Sequence, residues 1–377
     1  MTKIANNKVL MAESSDIYHD YRVQKEASSL ASAGYDVTVL GFRSQIHEQH
    51  DNGFNFKILT LPVVSRDHRL LRNICIAFNI LVINLFIVFH RVRFYHAHNT
   101  FFLLGMYIAS KLHGGKFIYD GHEVQWESGK LPSLLERFFI KKTDAVINVS
   151  YGRKIAQASR YGIAAEKIKI ISNYPIVKSL DVKLKEKNDV DSLRMVFSGG
   201  FNIETNRLDL LLKSLVGIPN VYLDFLAFGY GNSKITISKL INQLELHDRV
   251  KFLPLVSPSE VISVISEYDV AVDLTINPQN KISLRYCSRN KMYEALAAGL
   301  PILCSNIESY IEEFVKRGVA IGVEPEDIES IRKGVKYFIN NPAKILNMKK
   351  NAINLSKIHY NWTTQEAKLV ELYKFLK

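Results

Sequence analysis

The chain has 377 residues, 47% of them hydrophobic and 23% charged, with a formal net charge of +12. That length is long for one domain and comfortable for two, and the composition is that of an ordinary globular protein. Cys75, Cys287 and Cys304 form no C-x-x-C pair, which argues against a disulfide framework or a zinc site and suits a reducing compartment.

The positive charge fits an anionic membrane surface, an anionic substrate or nucleic acid, besides simple solubility. Nucleic acid is disfavoured, because no Lys/Arg run with interleaved aromatics occurs. Met1 to Lys8 is mostly polar, and the apolar Val9 to Met11 is too short for a signal-peptide core, so the expected location is the cytoplasm.

In chain order, strands and helices alternate. Val9–Met11 reads as a first strand and Asp20–Ala33 as an amphipathic helix stopped by Gly34. No glycine occurs between Met1 and Ala33, where a nicotinamide-binding domain would need its glycine-rich turn, which excludes that class of oxidoreductase. Asp36–Gly41, Phe56–Thr60, Phe94–His98, Lys116–Asp120, Ala145–Val149 and Ile168–Ile171 are further strands. Strands separated by helices imply a parallel sheet with right-handed crossovers.

Between the third and fourth strands lies Ile74–Phe89, apolar all round except for Asn79 and Asn84. Arg66, Arg69 and Arg72 precede it, and Arg91 and Arg93 follow. As a crossover helix it has no polar face for water, which predicts contact with a membrane or partner through residues such as Phe78 and Phe86. A wholly internal helix is the alternative.

Two strand ends carry polar clusters, Tyr95-His-Ala-His-Asn99 and Tyr119-Asp-Gly-His-Glu123. Alternation puts His96 and His98 on one face, where they could hydrogen-bond a substrate or hold a metal. Asp120, His122 and Glu123 could also ligate a metal, but no third ligand set is apparent, and no metal is expected.

Val177–Ser192 is polar, rich in Lys and Asp, and reads as a linker. The alternation then restarts. Arg194–Phe197 ends in Ser198-Gly199-Gly200, a helix covers Leu208–Leu215, and Tyr222–Phe228 ends in Gly229-Tyr-Gly231. Val250–Leu253 and Val270–Asp273 are strands, and a helix closes the chain at Trp362–Leu376. The fold class is α/β, with two doubly wound parallel-sheet domains, each with its ligand edge at the strands' C-terminal ends.

Within the second domain, Lys291–Ala298 is a helix ended by Gly299 and Pro301. Its N-terminus faces Ser288, Arg289 and Asn290, with Lys291 beside them, which makes a ready anion site. Glu294 lies one turn on from Asn290, where a carboxylate suits sugar hydroxyls.

The pattern Asn290-Lys291-x-x-Glu294-(x)4-Gly299-x-Pro301 resembles the donor-site signature of the retaining glycosyltransferases of family 4. That resemblance implies a GT-B fold, with two Rossmann-like domains facing a cleft and a C-terminal helix crossing back to the first. It implies an acceptor domain at 1–176 with 361–377 crossing back, a linker at 177–192, and a nucleotide-sugar domain at 193–360. Ser288, Arg289, Asn290 and Lys291 would hold the phosphates and Glu294 the ribose, with Gly199, Gly200, Gly229 and Gly231 lining the nucleotide. Many members carry a second Glu eight residues before the first; here that position is Tyr286. Members also place basic residues after the first glycine and before the following helix. Gly200 fills the first position and Asn206 or Arg207 the second, and Arg207 is the better choice because a leaving diphosphate needs a cation.

In the first domain the resemblance assigns Asp20, Arg22, His98, Asn99, Asp120 and Glu123 to the acceptor side and places His122 near the transferred sugar. With Arg207 and Lys291, His122 completes the expected catalytic set. The implied reaction is metal-independent transfer of a hexose-type sugar from a UDP- or GDP-sugar to a lipid-linked saccharide at the inner face of a bacterial membrane. A GT-B sugar-nucleotide epimerase and a non-catalytic membrane-surface binding protein are the alternatives.

Overall fold

The computed structural model describes residues 7–44, 53–63, 69–177, 192–228, 231–276 and 281–377. Two compact units emerge. The first holds the chain up to Asn173 together with Gln365–Lys377, and the second is Tyr174–Thr364.

The first unit is built on parallel strands β1 (Lys8–Asp16), β2 (Asp36–Ser44), β3 (Lys57–Val63), β4 (Phe94–Ala97), β5 (Lys116–Asp120), β6 (Ala145–Asn148) and β7 (Ile168–Ile170). Their order is β3-β2-β1-β4-β5-β6-β7, so the winding reverses between β1 and β4. Its helices are α1 (Tyr21–Ser32), α2 (Arg69–Phe89), α3 (Leu103–His113), α4 (Gln125–Ser128), α5 (Lys130–Phe139) and α6 (Tyr151–Tyr161). Burial explains the strand sequences: β4 and β6 are covered on both faces, so all their residues are buried, as parallel strands between helix layers must be. α2, α3, α5 and α6 cover one sheet face, where Ile83, Ile87, Leu103, Met106, Phe139, Ala158 and Tyr161 join Tyr95, Phe117 and Tyr119 in one core.

The second unit has β8 (Leu193–Gly200), β9 (Val221–Phe228), β10 (Val250–Phe252), β11 (Val270–Asp273), β12 (Ile302–Ser305) and β13 (Ala320–Val323), in the order β10-β9-β8-β11-β12-β13. Its helices are α7 (Ile203–Asn206), α8 (Leu208–Leu215), α9 (Gly231–Gln243), α10 (Val261–Ile265), α11 (Ile282–Arg285), α12 (Asn290–Ala297), α13 (Glu308–Tyr310), α14 (Ile328–Asn340) and α15 (Pro342–Ile358). Here the winding reverses between β8 and β11. α12 ends as its sequence requires. Gly299 takes φ 74°, and its N–H and that of Leu300 return to the carbonyls of Leu296 and Ala295.

The division falls at Asn173/Tyr174 because Tyr174 packs on Tyr293 and Tyr360 of the second unit, whereas Ser172 donates its N–H to Gln365 Oε1 in the first. The last helix, α16 (Trp362–Leu376), belongs to the first unit from Gln365 on. There Tyr373 is fully buried against Tyr35 and Phe94. The polar linker read at 177–192 lies outside the described residues except at its two ends.

Candidate active site

The second unit gathers its polar groups at the switch point. Asp273 ends β11, and Ser198, Gly199 and Gly200 end the neighbouring β8. The Asp273 carboxylate is 1% exposed and accepts from Lys291 Nζ at 2.7 Å, Arg289 at 3.2 Å, Thr275 Oγ1 at 3.1 Å and Tyr310 OH at 2.5 Å. Arg289 also donates to Asn206 Oδ1 at 2.9 Å, and Asn206 Nδ2 donates to the Gly200 carbonyl at 3.2 Å. Lys291 Nζ stands 4.2 Å above the Phe197 ring. Gly199, at φ 111°, runs past the Lys291 stem, where a Cβ would lie 3.5 Å from Cδ. Glycine is needed there mainly for that backbone angle.

The charges are unequal. Burial alone would raise the Asp273 pKa, but Lys291 and Arg289 more than offset it and hold the carboxyl below its ordinary value. Burial, with Arg289 nearby, pulls the Lys291 ammonium below its ordinary value, and Asp273 only partly restores it. Two cations share one carboxylate, so one positive charge is left over beside the glycine loop and the N-terminus of α12. A half-buried positive charge at a helix N-terminus, in excess of the carboxylate among the described residues, is a site for a multiply charged anion.

The other residues read from the sequence distribute around this cluster. Ser288 Oγ is 3.0 Å from Tyr293 OH, Asn290 is the exposed first residue of α12, and Glu294 is half-buried one turn later. Arg207 takes a left-handed φ of 46° before α8, with Asp209 at 4.0 Å and Glu326 at 3.9 Å as ionic neighbours. Asn206, its neighbour, is the residue that joins the cluster. Gly231 opens α9, and Gly229 lies outside the described residues. Tyr286 OH lies 3.3 Å from Glu308, which Arg285 also grips at 2.6 Å.

The first unit holds a second ionisable cluster, at the ends of β4 and β5. Arg22, 4% exposed, donates to Asp120 Oδ2 at 2.7 Å and to the Ile171 carbonyl at 3.0 Å, and lies 3.0 Å from Glu26. His98 Nδ1 is 3.3 Å and His122 Nδ1 3.6 Å from the Asp120 carboxylate. The rings of His96 and His98 stack at 4.3 Å, as strand alternation requires of two side chains on one face. His96 Nδ1 meets Tyr373 OH of α16 at 2.8 Å, and Arg153 donates to the His122 carbonyl at 2.7 Å. Asp20 caps α1 by accepting from the Val23 N–H, and Asn99 Oδ1 accepts from the Phe101 N–H. Glu123 is exposed.

Desolvation opposes ionisation throughout this cluster, yet Arg22 and His122 hold Asp120 well below the ordinary carboxylate range. Burial would lower His122, but Asp120 raises it to about 9, and burial raises Glu26 to about 7. At neutral pH His122 is therefore an imidazolium, a hydrogen-bond donor rather than a ready base. Ligand-type atoms of Glu26, His96, His98 and Asp120 lie within 4.8 Å of one another, all buried. The guanidinium of Arg22, hydrogen-bonded to Asp120 and 3.0 Å from Glu26, already places a positive charge between the two carboxylates.

Asp273, Tyr310, Glu26 and Tyr373 were not singled out as site residues from the sequence, and Asn206 was weighed there only as the alternative to Arg207. A carboxylate closing a buried strand was the available signal for Asp273.

Residues 182–355 match the family described as Glycosyl transferases group 1, and residues 22–174 match Glycosyltransferase Family 4. Each unit thus matches a glycosyltransferase family over most of its length. Over 202 residues the chain is 25% identical to the O-antigen chain mannosyltransferase RfbU of Salmonella typhimurium, a match covering 54% of this chain and 53% of that protein. The chain thus aligns with about half the length of that relative. Among solved structures it resembles the sucrose-phosphate synthase of Thermosynechococcus elongatus, with TM-score 0.77, 14% identity, and 98% and 99% of the two chains covered. It also resembles Anabaena HepE, solved with UDP, with TM-score 0.75, 15% identity, and 98% and 100% covered. At these identities the likeness establishes the fold: two Rossmann-like parallel-sheet domains of the GT-B type.

Proposed function

We propose that the protein transfers a hexose-type sugar, with retention of anomeric configuration, from a UDP- or GDP-sugar to a lipid-linked saccharide in bacterial surface-polysaccharide synthesis. One observation carries the reading. A half-buried lysine and arginine, held by one buried carboxylate, meet a glycine loop and a helix N-terminus at the switch point of a glycosyltransferase domain. The nucleoside diphosphate sits at that surplus charge, and Glu294 accepts from its ribose. Negative charge grows on the diphosphate as the glycosidic bond breaks, so Lys291, Arg289 and the N–H groups opening α12 stabilise the transition state more than the bound donor. The leaving phosphate oxygen takes the acceptor hydroxyl's proton on the same face of the sugar, so no covalent sugar–protein intermediate forms. Arg207 is a reserve cation near the phosphates.

The first unit takes the acceptor, with His122 donating to an oxygen of the sugar or acceptor and Asp20, Arg22, His98, Asn99, Asp120 and Glu123 around it. HepE, solved with UDP, supports a nucleotide donor, and the mannosyltransferase relative supports a surface polysaccharide and a hexose. Reaction without a metal is supported by Arg22 neutralising the acidic cluster. A cytoplasmic protein seated on the inner face of the membrane through α2 would meet an acceptor that cannot leave the bilayer.

The test is turnover of UDP- and GDP-hexoses on a lipid-linked acceptor fraction with EDTA present. The expected outcome is release of nucleoside diphosphate and an α-linked product from an α-linked donor. Inversion, or loss of activity in EDTA restored by a divalent cation, would contradict the mechanism.

A further inference from the structure

α2 is built inside out. Its two central polar residues face the protein, while Asn73 near its start is exposed: Asn79 is buried and donates to the Pro62 carbonyl, and Asn84 donates to the Phe101 carbonyl and accepts from the Gly105 N–H. Its exposed large apolar side chains are Leu70, Leu71, Ile74, Phe78, Leu81, Leu85 and Phe89, each more than half exposed. At 100° per residue these fall within an arc of about 100°, a single outward stripe.

α2 is not alone. α3 packs against both α2 and α5. α3 exposes Leu104, Ile108 and Leu112, and α5 exposes Leu131, Leu134 and Phe138, each set again on one side of its helix. All three helices cover the same face of one sheet, so their stripes look outward together. The exposed charge on the helices themselves has one sign. The only acid in the three helices is Glu136, which is buried and accepts from Tyr119, Gln157 and Tyr161. Lys111, Lys130, Arg137, Lys141 and Lys142 are exposed in or just after α3 and α5. Lys142 lies 4.7 Å from the Phe138 ring centre, and Lys111 lies 5.8 Å from that of Tyr107, so their stems run along aromatic surface and their ammonium groups stand at its edge. The nearest exposed acids in sequence are Glu127 of α4, in a pocket it shares with Lys130 and Arg137, and Asp144, which is 3.3 Å from Lys116.

We infer that the bilayer contact is a three-helix seat, in which α2, α3 and α5 together lie flat on an anionic lipid surface with the lysines and arginine at headgroup level. A wide apolar plane on which every exposed charge of the three helices is a cation suits anionic lipid rather than a protein partner, whose rim would bring both signs more evenly. The inference rests on the membrane reading above and extends it beyond α2.

Flotation of the full chain with phosphatidylglycerol or phosphatidylcholine vesicles tests it. Wild type floats with phosphatidylglycerol at low salt and less at high salt. Three variants separate the readings: Ile74→Ser/Phe78→Ser/Leu81→Ser on α2, Leu104→Ser/Ile108→Ser/Leu112→Ser on α3, and Leu131→Ser/Leu134→Ser/Phe138→Ser on α5. Each is expected to lower partitioning by about tenfold or more while keeping a wild-type melting profile. Lys111→Gln/Lys141→Gln/Lys142→Gln, which leaves the apolar face intact, is expected to lose the preference for anionic vesicles. If the α3 and α5 variants float like wild type and only the α2 variant fails, the three-helix seat is wrong and contact through α2 alone stands. If wild type floats with neither lipid, or forms a lipid-free dimer that the α5 variant abolishes, the membrane reading fails with it.

Discussion

Asp273 shows how one buried side chain can organise a site without touching a substrate. It fixes Lys291 and Arg289 beside the β8 loop, and its own ionisation depends on them. Asp273→Asn would leave two half-buried cations with no counter-charge. Breaking a fully buried pair costs about 3–5 kcal/mol and partial exposure of the cations lowers that, so urea unfolding of the second unit should shift to lower denaturant. An unchanged midpoint would mean that the cations find another partner. In the first unit, His122 is raised from 6.5 to about 9 and Glu26 from 4.5 to about 7. Both folded states bind protons more tightly than the unfolded chain. Stability is therefore full at low pH for each group, declines from about pH 4.5 to 7 for Glu26, and declines from about 6.5 to 9 for His122. Thermal melts should show a lower midpoint at pH 9 than at pH 6, and His122→Asn should flatten the upper part of that decline. The Lys291 helix and its loop were legible in the sequence because helix formers, a glycine stop and a cation follow local rules. Asp273 was not, because its role depends on Arg289 and Tyr310, 16 and 37 positions away.

At the scale of elements, periodicity identified most strands, since parallel strands buried on both faces read as apolar runs. β13, Ala-Ile-Gly-Val, escaped because four residues with a glycine carry little strand signal. For α2 the sequence revealed the absence of a polar face but not which side the two asparagines took. The structure turns them inward, where Asn84 bridges α2 to the start of α3 across a close approach. A Cβ on Gly105 would lie 2.4 Å from Asn84 Oδ1. Asn84→Ala would leave the Phe101 carbonyl and the Gly105 N–H unpaired, at a cost of about 1–3 kcal/mol. Chemical denaturation of that variant is the check, and wild-type stability would mean that water replaces both bonds. α16 also outran local rules: its place in the first unit comes from Tyr373 and Gln365, whose partners lie 277 and 193 residues earlier.

At the scale of the whole molecule, two sheets of the same winding carry two different polar centres. In the first unit positive and negative groups interlock, and only half-buried His122 reaches toward solvent. In the second, a half-buried pair of cations exceeds its single buried acid among the described residues. That asymmetry is the physical basis for assigning the nucleoside diphosphate to the second unit. Calorimetric titration of the full chain with UDP, GDP and their hexose conjugates, for wild type and Lys291→Met, measures it directly. The account predicts that wild type binds one nucleotide family. Lys291→Met should bind it at least about tenfold more weakly, a loss of about 1.4 kcal/mol, with an unchanged melting profile in the absence of nucleotide. Equal affinity in the variant, or no binding of any of these nucleotides to wild type, would contradict it.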